Sequence, residues 1–224
     1  MCAQVLGAVK EEEWCPSVVR QVRDEIKTFV LAGHETSASM LAWSLYELSV
    51  KANAPLLEKV RQEAKAVYGA SASTVLPKRE ALDKLVFTEC CLRESLRKYS
   101  VVPTVVRVAS EDTDLGSYRI PRGTTIMLNM QGVHHNPSFW PDPYLYDPSR
   151  FTREIKPYTF LPFVEGPRMC LGQYLSLLES KVVLSLLLSR YTFTVVDEQS
   201  SGLKHAFMIP IIPRTGHWVK VADA

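Results

Sequence analysis

One long amphipathic pattern dominates the N-terminal part of the chain. From about Ser17 to Val50, apolar residues recur close to every 3.6 positions, the period of an α-helix, and Pro16 stands where a helix can begin. The centre of this segment, residues 32–39, is small and polar instead. Glycine at position 33 costs a helix about 1 kcal/mol relative to alanine. The pattern therefore predicts one continuous helix whose centre departs from helix-forming composition.

Three further helical patterns and several short β-like pieces follow. Helices are predicted from about Pro55 to Gly69, from about Ala81 to Tyr99 and from about Leu171 to Arg190. The β-like pieces are residues 105–109, 118–120, 124–128, 191–196 and 207–221. Nine of the 14 prolines lie between Pro103 and Pro167, which disfavours long regular elements there. The predicted fold class is mainly α with small β pieces.

The composition is that of an ordinary globular domain. Of 224 residues, 46% are hydrophobic and 22% are charged, and the formal net charge is +2, so neither disorder nor a nucleic-acid partner is indicated. The five cysteines form no CxxC motif and no even disulfide framework, which favours free thiols. The longest apolar run, residues 182–188, is far shorter than the ~20 residues of a transmembrane helix. We expect one domain with no membrane span and no targeting segment in this chain.

The strongest chemical signal is the segment from Phe163 to Gly172, directly before the last predicted helix. A thiolate at Cys170 would be stabilised by the helix dipole and by unpaired backbone amides. Gly166 and Gly172 allow the backbone to approach a flat ligand closely, and Arg168 offers a fork of donors to a carboxylate. The alternative is that Cys170 is simply a buried thiol, which is the usual environment of a lone cysteine.

This segment resembles the haem-binding loop of the cytochromes P450. The family pattern Phe-x-x-Gly-x-Arg-x-Cys-x-Gly is matched at Phe163, Gly166, Arg168, Cys170 and Gly172, with a Val-Glu pair after Phe163 that is bulkier than usual. The resemblance implies that Cys170 is the axial thiolate ligand of the iron of haem b, and such a ligand favours cleavage of bound dioxygen. It also implies that Phe163 packs near the sulfur and that Arg168 pairs with a haem propionate.

A second motif, Glu94-Ser95-Leu96-Arg97, lies in the third predicted helix. Its spacing of three places both charged side chains on one helix face. Taken alone, the pair is most simply a surface salt bridge, because the same helix offers others. It is similar to the family's Glu-x-x-Arg motif, whose partner arginine stands in a Pro-x-Arg-Phe segment matched here at Arg150. The resemblance implies that Glu94, Arg97 and Arg150 form a structural network near the haem.

The small, polar centre of the first helix resembles a third family motif, Ala/Gly-Gly-x-Asp/Glu-Thr-Thr/Ser. The resemblance implies that Ala32 and Gly33 leave space over the haem face. Thr36 would then hydrogen-bond bound oxygen, and Glu35 would help to deliver protons through water. The alternative is structural, since a mid-helix threonine commonly bonds back to the carbonyl four residues earlier while the acid faces water.

Two weaker correspondences concern the haem propionates. The resemblance implies that Arg107, four residues after Pro103, meets a propionate, and that His134 lies near the propionates. An ordinary strand arginine is an equal alternative for Arg107. A metal site at His134 and His135 is not favoured, because adjacent histidines diverge and no carboxylate has ligand spacing. Hydrolase, kinase and dinucleotide-binding motifs are absent from the sequence.

Together these features predict that residues 1–224 form the C-terminal, haem-binding half of a cytochrome P450 domain. Its expected parts are an oxygen-activating helix (about 17–50), the Glu-x-x-Arg helix (about 81–99), a proline-rich meander (about 130–160), the haem loop (163–172) and a last long helix (about 171–190).

The resemblance implies a haem-thiolate monooxygenase that hydroxylates a small apolar organic substrate with O2. Its electrons would come from NADPH through NADPH-cytochrome P450 reductase, or from a ferredoxin-type donor. We expect the parent enzyme at the cytosolic face of the endoplasmic reticulum or in another organelle, attached only through an N-terminal anchor absent here. Two alternatives are a non-catalytic, truncated haem-binding remnant and a P450-like isomerase or dehydratase. Glu35 and Thr36 argue against the latter, which needs no proton-delivery pair.

Overall fold

A computed structural model describes residues 15–69, 78–196, 205–206, 211–213 and 218–224. Its α-helices are α1 (Pro16–Ser49), α2 (Ala54–Tyr68), α3 (Arg79–Leu82), α4 (Val86–Tyr99), α5 (Met130–His134) and α6 (Gln173–Arg190), with short 3-10 helices at Lys51–Asn53 and Pro148–Thr152. The strands are β1 (Thr104–Val108), β2 (Thr113–Leu115), β3 (Tyr118–Ile120), β4 (Thr125–Asn129), β5 (Tyr191–Val195), β6 (His205–Ala206), β7 (Ile212–Pro213) and β8 (Val219–Asp223). The predicted fold class, mainly α with small β pieces, is confirmed.

The long first helix is continuous through its polar centre. It begins at Pro16 and ends at Ser49, and Gly33 does not interrupt it. Apart from Val22, its buried residues all lie from Ser37 onward, where the helix packs against α4 and α6. Burial of this second half stabilises the helix through tertiary packing, which outweighs the low propensity at its centre.

The predicted helix over 81–99 is wrong as a single element. The structure contains two helices, α3 and α4, separated at residues 83–85, and Leu85 in this break is fully buried. The break is stabilised from another element, because the Glu63 carboxylate of α2 accepts the backbone N–H groups of Phe87 (2.6 Å) and Thr88 (2.8 Å). A carboxylate on these first-turn amides caps α4 and favours a new helix start there.

Four two-stranded antiparallel sheets account for the described β-structure. In the first, β1 pairs with β4 in a register that places Val106 opposite Met127, and the hairpin β2–β3 lies between these two strands in sequence. Residues 121–124 form a turn that leads into β4, with the Thr124 amide donating to the Pro121 carbonyl at 3.1 Å. Strand β2, helix α5 and the 3-10 helix at 148–152 were not predicted.

The main hydrophobic core lies among α1, α2, α4 and α6. Its fully or nearly fully buried members include Met40, Val60, Leu92 and Leu184, one from each helix. β5 pairs with β8 at the end of α6. Much of the predicted β-like tail, residues 207–210 and 214–217, lies outside the described residues. Among the helices of the described ranges, none is long and apolar enough to cross a membrane.

Candidate cofactor site

The loop that carries Cys170 is held together by its own backbone. The Cys170 N–H donates to the Phe163 carbonyl (2.9 Å), and the Met169 N–H donates to the Gly166 carbonyl (3.0 Å). Gly166 has a φ of +85°, a conformation that suits a residue without Cβ. The loop therefore turns back on itself and brings the backbone of Cys170 next to that of Phe163.

Val164 is the one unusual position in this loop. Its φ is +62°, in the left-handed region that β-branched residues rarely adopt, and its N–H donates to the Leu161 carbonyl at 3.2 Å. Such a conformation costs on the order of 1–3 kcal/mol. The departure from the family pattern at position 164 thus puts backbone strain into the loop that carries the thiol.

Cys170 is exposed, whereas Cys90 and Cys91, which follow each other on α4, are buried. None of these three cysteines forms a disulfide. The buried-thiol alternative is therefore wrong for Cys170. Burial raises the pKa of the Cys90 and Cys91 thiols, which keeps both in the neutral, unreactive form. Next to the thiol, Leu171 is 74% exposed, and a Cβ added to Gly172 would stand 3.9 Å from the Cys170 sulfur. The thiol thus lies on an open apolar surface.

The centre of α1 forms a second wall near this loop. Ser37 on α1 and Ser176 on α6 are joined by a hydrogen bond between their hydroxyl oxygens at 3.0 Å. Ala32 lies five residues before Ser37, which is about 7.5 Å along a helix axis. A Cβ on Gly33 would meet nothing within 4 Å, so this part of the helix faces open space.

The two acid-and-alcohol residues of α1 differ in environment. The Thr36 hydroxyl donates to the Ala32 carbonyl at 2.7 Å, which is the back-bond of the structural alternative. This uses its hydrogen but leaves the oxygen lone pairs available as acceptors. The Glu35 side chain is half exposed and lies 3.7 Å from the His34 ring. Glu35 is therefore in contact with solvent.

These two walls fit a haem. A potential thiolate donor is exposed on the loop, and the α1 segment that contacts the start of α6 carries small residues with open space beside Gly33. Exposed apolar side chains, Leu31 on α1 and Leu171 and Leu175 near the start of α6, supply the surface that a flat macrocycle would cover. Cysteine sulfur is also a ligand type that haem proteins use.

Glu94 and Arg97 form a fully buried ion pair, with both side chains at 0% exposure. Arg97 donates to both carboxylate oxygens, at 2.7 and 2.8 Å, in a bidentate arrangement. Its remaining bonds go to the carbonyls of His134 (3.0 Å) and Leu145 (3.2 Å). The surface-pair alternative is wrong, because no part of this pair contacts water.

Arg150 completes this cluster from the 3-10 helix at 148–152. Its Nε lies 3.5 Å from a Glu94 carboxylate oxygen without a hydrogen bond, and its Nη2 donates to the Asp142 carbonyl at 3.0 Å. The Asp147 N–H donates to the same Glu94 oxygen at 2.9 Å. The structure therefore brings Glu94, Arg97 and Arg150 together and connects them to the meander backbone.

The two arginines that the resemblance assigns to the propionates, Arg107 and Arg168, differ in burial but form few bonds within the protein. Arg168 is exposed and forms no ion pair with any residue the structure describes. Arg107 is half buried on β1, and its only side-chain bond among the described residues is to the adjacent Val106 carbonyl at 3.0 Å. Both guanidinium groups therefore retain donors for an anionic ligand.

The assignment of His134 to cofactor binding does not fit its environment. The side chain is fully buried, and both ring nitrogens are bonded within the protein, to the Ser100 hydroxyl (2.8 Å) and to the Leu161 N–H (2.8 Å). Burial, with a further contribution from the Arg97 charge, lowers the pKa of His134 to about 3, so the ring is neutral. A neutral ring with no free N–H has nothing to donate to a propionate.

A cleft of about 480 Å³ lies beside the thiol loop, between α3, α4 and the start of α6. Its lining includes Cys170 and the ion pair of Lys181 with Glu89, whose atoms are 2.9 Å apart. Arg79 stacks over the Tyr174 ring with its guanidinium carbon 4.6 Å from the ring centroid. Neither this cleft nor the capping role of Glu63 is predicted by a local sequence pattern, because both depend on contacts between elements distant in sequence.

Comparison with known proteins bears directly on this site. The family model described as Cytochrome P450 matches residues 18–216. The chain is 33% identical over 221 residues to Cytochrome P450 4V2 of Mus musculus, covering 97% of this chain and 41% of that protein. It is 38% identical over 192 residues to Cytochrome P450 4X1 of Mus musculus, covering 84% of this chain and 37% of that protein. It is also 38% identical over 194 residues to Cytochrome P450 4F12 of Homo sapiens, covering 84% of this chain and 36% of that protein. The chain thus spans about two-fifths of the length of these relatives.

Proposed function

Because the chain belongs to the cytochrome P450 family, we propose that these residues hold the haem of a haem-thiolate monooxygenase. The observation that carries this proposal is the exposed Cys170 thiol on a loop closed by the Phe163 carbonyl, directly before helix α6, which contacts α1 through the Ser37–Ser176 hydrogen bond. When bound, haem b would supply the oxygen-activating chemistry, with its iron ligated by the Cys170 sulfur.

In this proposal Cys170 would hold the haem iron through its sulfur, and its loop would control the position of that sulfur. The hydrogen bond from the Cys170 N–H to the Phe163 carbonyl fixes the backbone next to the ligand atom. Gly166 permits the turn, and Gly172 leaves room beside the sulfur. The Phe163 side chain is half buried against the main core, and the Phe163 carbonyl accepts the Cys170 N–H. The same residue therefore anchors the loop to the core and closes it.

Arg107 and Arg168 would bind the haem propionates. Support comes from their guanidinium donors, which no acidic residue of the described chain uses, and a guanidinium can bind a carboxylate with two parallel hydrogen bonds. His134 is excluded from this role by its neutral, fully bonded ring. Two arginines on separate elements would orient the macrocycle between β1 and the loop.

Thr36 and Glu35 are the proton-handling residues. The Thr36 hydrogen is committed to the Ala32 carbonyl, so its oxygen can serve as an acceptor that orders a water beside it. The exposed Glu35 carboxylate can take a proton from solvent and pass it to that water. The pair therefore connects bulk water to the open side of α1.

The remaining assignments concern the complete enzyme. We propose O2 and a small apolar organic molecule as its substrates, and NADPH-cytochrome P450 reductase, or a ferredoxin-type protein, as its electron donor. We place it at the cytosolic face of the endoplasmic reticulum, with another organelle as the alternative. Cell fractionation and reconstitution with each donor would test these assignments separately.

Ligation by Cys170 is tested by spectroscopy of the reduced protein with bound CO. Thiolate ligation gives a red-shifted Soret band, which we expect in the wild type and which Cys170→Ser should abolish. Cys15→Ser is the matched control, because Cys15 is also exposed and lies far from the loop in sequence. A Soret band that is unchanged in Cys170→Ser would overturn the proposal.

A further inference from the structure

His134 lies where three separate parts of the site meet. It is the last residue of α5, is fully buried, and its ring faces the end of α4 on one side and the start of the thiol loop on the other. Its Nδ1 is 2.8 Å from the Ser100 hydroxyl, and its Nε2 is 2.8 Å from the Leu161 nitrogen. Its own carbonyl accepts a bond from Arg97 at 3.0 Å.

The directions of these hydrogen bonds follow from chemistry. A backbone N–H can only donate, so the Leu161 amide requires a lone pair on Nε2 of His134. The single ring hydrogen must then sit on Nδ1, where it donates to the Ser100 oxygen. The Ser100 hydroxyl in turn donates to the Arg97 carbonyl at 3.3 Å. One uninterrupted chain of donors thus runs from Leu161 to the helix that carries Glu94 and Arg97.

The Leu161 end of this chain leads directly to the thiol. The Leu161 carbonyl accepts from the Val164 N–H at 3.2 Å, and the intervening Phe163 carbonyl accepts from the Cys170 N–H at 2.9 Å. Residues 165–171 are exposed, so the bonds around Leu161 and Phe163 are what attaches the loop to the protein interior. Any movement of the Leu161 backbone is passed to the residue that closes on Cys170.

We propose that His134 is a positioning residue for the Cys170 loop, acting as a neutral hydrogen-bond relay between the buried Glu94–Arg97 pair and Leu161. The inference rests on the proposed function, since it takes Cys170 as the haem ligand. It gives the ion pair a defined connection to the ligand. Arg97 fixes the His134 backbone, and the His134 ring fixes the start of the loop. Protonation of His134 would occur at Nε2, where the added hydrogen would face the Leu161 N–H, so that two donors would oppose each other.

The test combines a removal, a conservative replacement and a matched control. His134→Leu removes both ring bonds, whereas His134→Gln keeps a neutral acceptor for the Leu161 N–H. His135→Leu is the control, because the adjacent His135 ring bonds the Lys98 carbonyl at 2.8 Å and not the loop. Hydrogen exchange of the Leu161 amide, the rate of haem loss to an acceptor globin and the CO Soret band are measured for each haem-loaded protein.

We expect His134→Leu to raise Leu161 exchange and haem loss about tenfold, which corresponds to about 1.4 kcal/mol, the net strength of one hydrogen bond. Part of its CO complex should lose the thiolate band. His134→Gln should recover most of both effects, and His135→Leu should change them less than about twofold. Nitrogen NMR of the wild type should show His134 protonated at Nδ1 alone.

The inference is overturned if His134→Leu leaves Leu161 exchange and haem loss within twofold of the wild type, or if His135→Leu changes them equally. An Nε2-protonated His134 would also overturn it. Should His134→Leu not fold, Ser100→Gly removes the hydroxyl at a residue whose φ of +42° suits glycine, and Leu161 exchange and haem loss that stay within twofold of the wild type would then contradict the relay. Absence of the thiolate band in the wild type would instead contradict the proposed function, while the tautomer and the Leu161 exchange still decide the relay.

Discussion

Arg97→Ala is the most informative single perturbation of the buried network. The substitution removes both bonds to the Glu94 carboxylate, at 2.7 and 2.8 Å, and both bonds to the carbonyls of His134 and Leu145. Glu94 would keep the Asp147 amide as a donor, but its charge would remain buried at 0% exposure with no direct bidentate partner. The loss therefore affects α4, α5 and the meander at once.

The magnitude follows from the burial of the pair. Removing one partner of a buried ion pair costs about 3–5 kcal/mol in the free energy of unfolding. The two carbonyls that lose their donor add about 1 kcal/mol or more between them, and the nearby Arg150 charge offsets part of the total. We expect a net loss of about 4–6 kcal/mol, comparable with the whole stability of a marginal domain.

Denaturant unfolding followed by circular dichroism measures this loss, together with the haem content of the purified protein. Arg119→Ala is the matched control, since Arg119 pairs with Asp112 at 3.4 Å on an exposed hairpin, and its loss should cost less than about 1 kcal/mol. Arg97→Lys keeps the charge but loses the fork, so it should fall between the two. An Arg97→Ala protein as stable as Arg119→Ala would refute the reasoning.

Three further predictions concern a cap, a titration and the oxygen side. Glu63→Ala should lower the free energy of unfolding by about 2–3 kcal/mol, because it removes the charge-assisted cap of α4. Glu58→Ala, at an exposed position of the same helix, should lower it by under about 0.5 kcal/mol in the same unfolding assay. The His134 pKa of about 3 lies below the unfolded value of ~6.5, so the unfolded chain binds more protons between these values and stability falls as the pH falls. When the pH is lowered from 6.5 to 5, the free energy of unfolding of the wild type should fall by about 2 kcal/mol more than that of His134→Gln. An equal fall in the two proteins would contradict this prediction. In the complete enzyme of the proposed function, Thr36→Ala should keep its haem but form product at about a tenth or less per NADPH consumed, and Thr36→Ser should retain activity. An unchanged ratio of product to NADPH in Thr36→Ala would leave the back-bond to Ala32 as the only role of the hydroxyl.

The helices that could be predicted are those whose periodic pattern agrees with their packing. The α1 and α6 patterns predicted helices whose observed ends lie within about two residues of those expected, because Pro16 and the residues around Gly172 act locally. The single helix expected over 81–99 failed for the opposite reason. Its break is stabilised by the Glu63 side chain, which lies more than 20 residues away in sequence, and no local pattern reports that contact.

Candidate residues divide in the same way. The Glu94 and Arg97 pair is recognisable from its spacing, but that spacing is equally compatible with a surface salt bridge. Only the packing of α5 and the meander over α4 shows that the pair is buried. His134 shows the reverse case. Its sequence context suggested a cofactor contact, and the tertiary structure surrounds its ring with protein partners.

By itself, the sequence determined the fold class, the helical periods, the thiol loop pattern and the spacing of the charged motif, since each of these depends on patterns among residues that are neighbours along the chain. The tertiary structure alone decided which charges are buried, which thiols are exposed, where α4 begins and what the His134 ring contacts. These properties depend on which distant segments exclude water from one another. Burial removes competing water from each polar group, and the partner that replaces it comes from a different part of the chain.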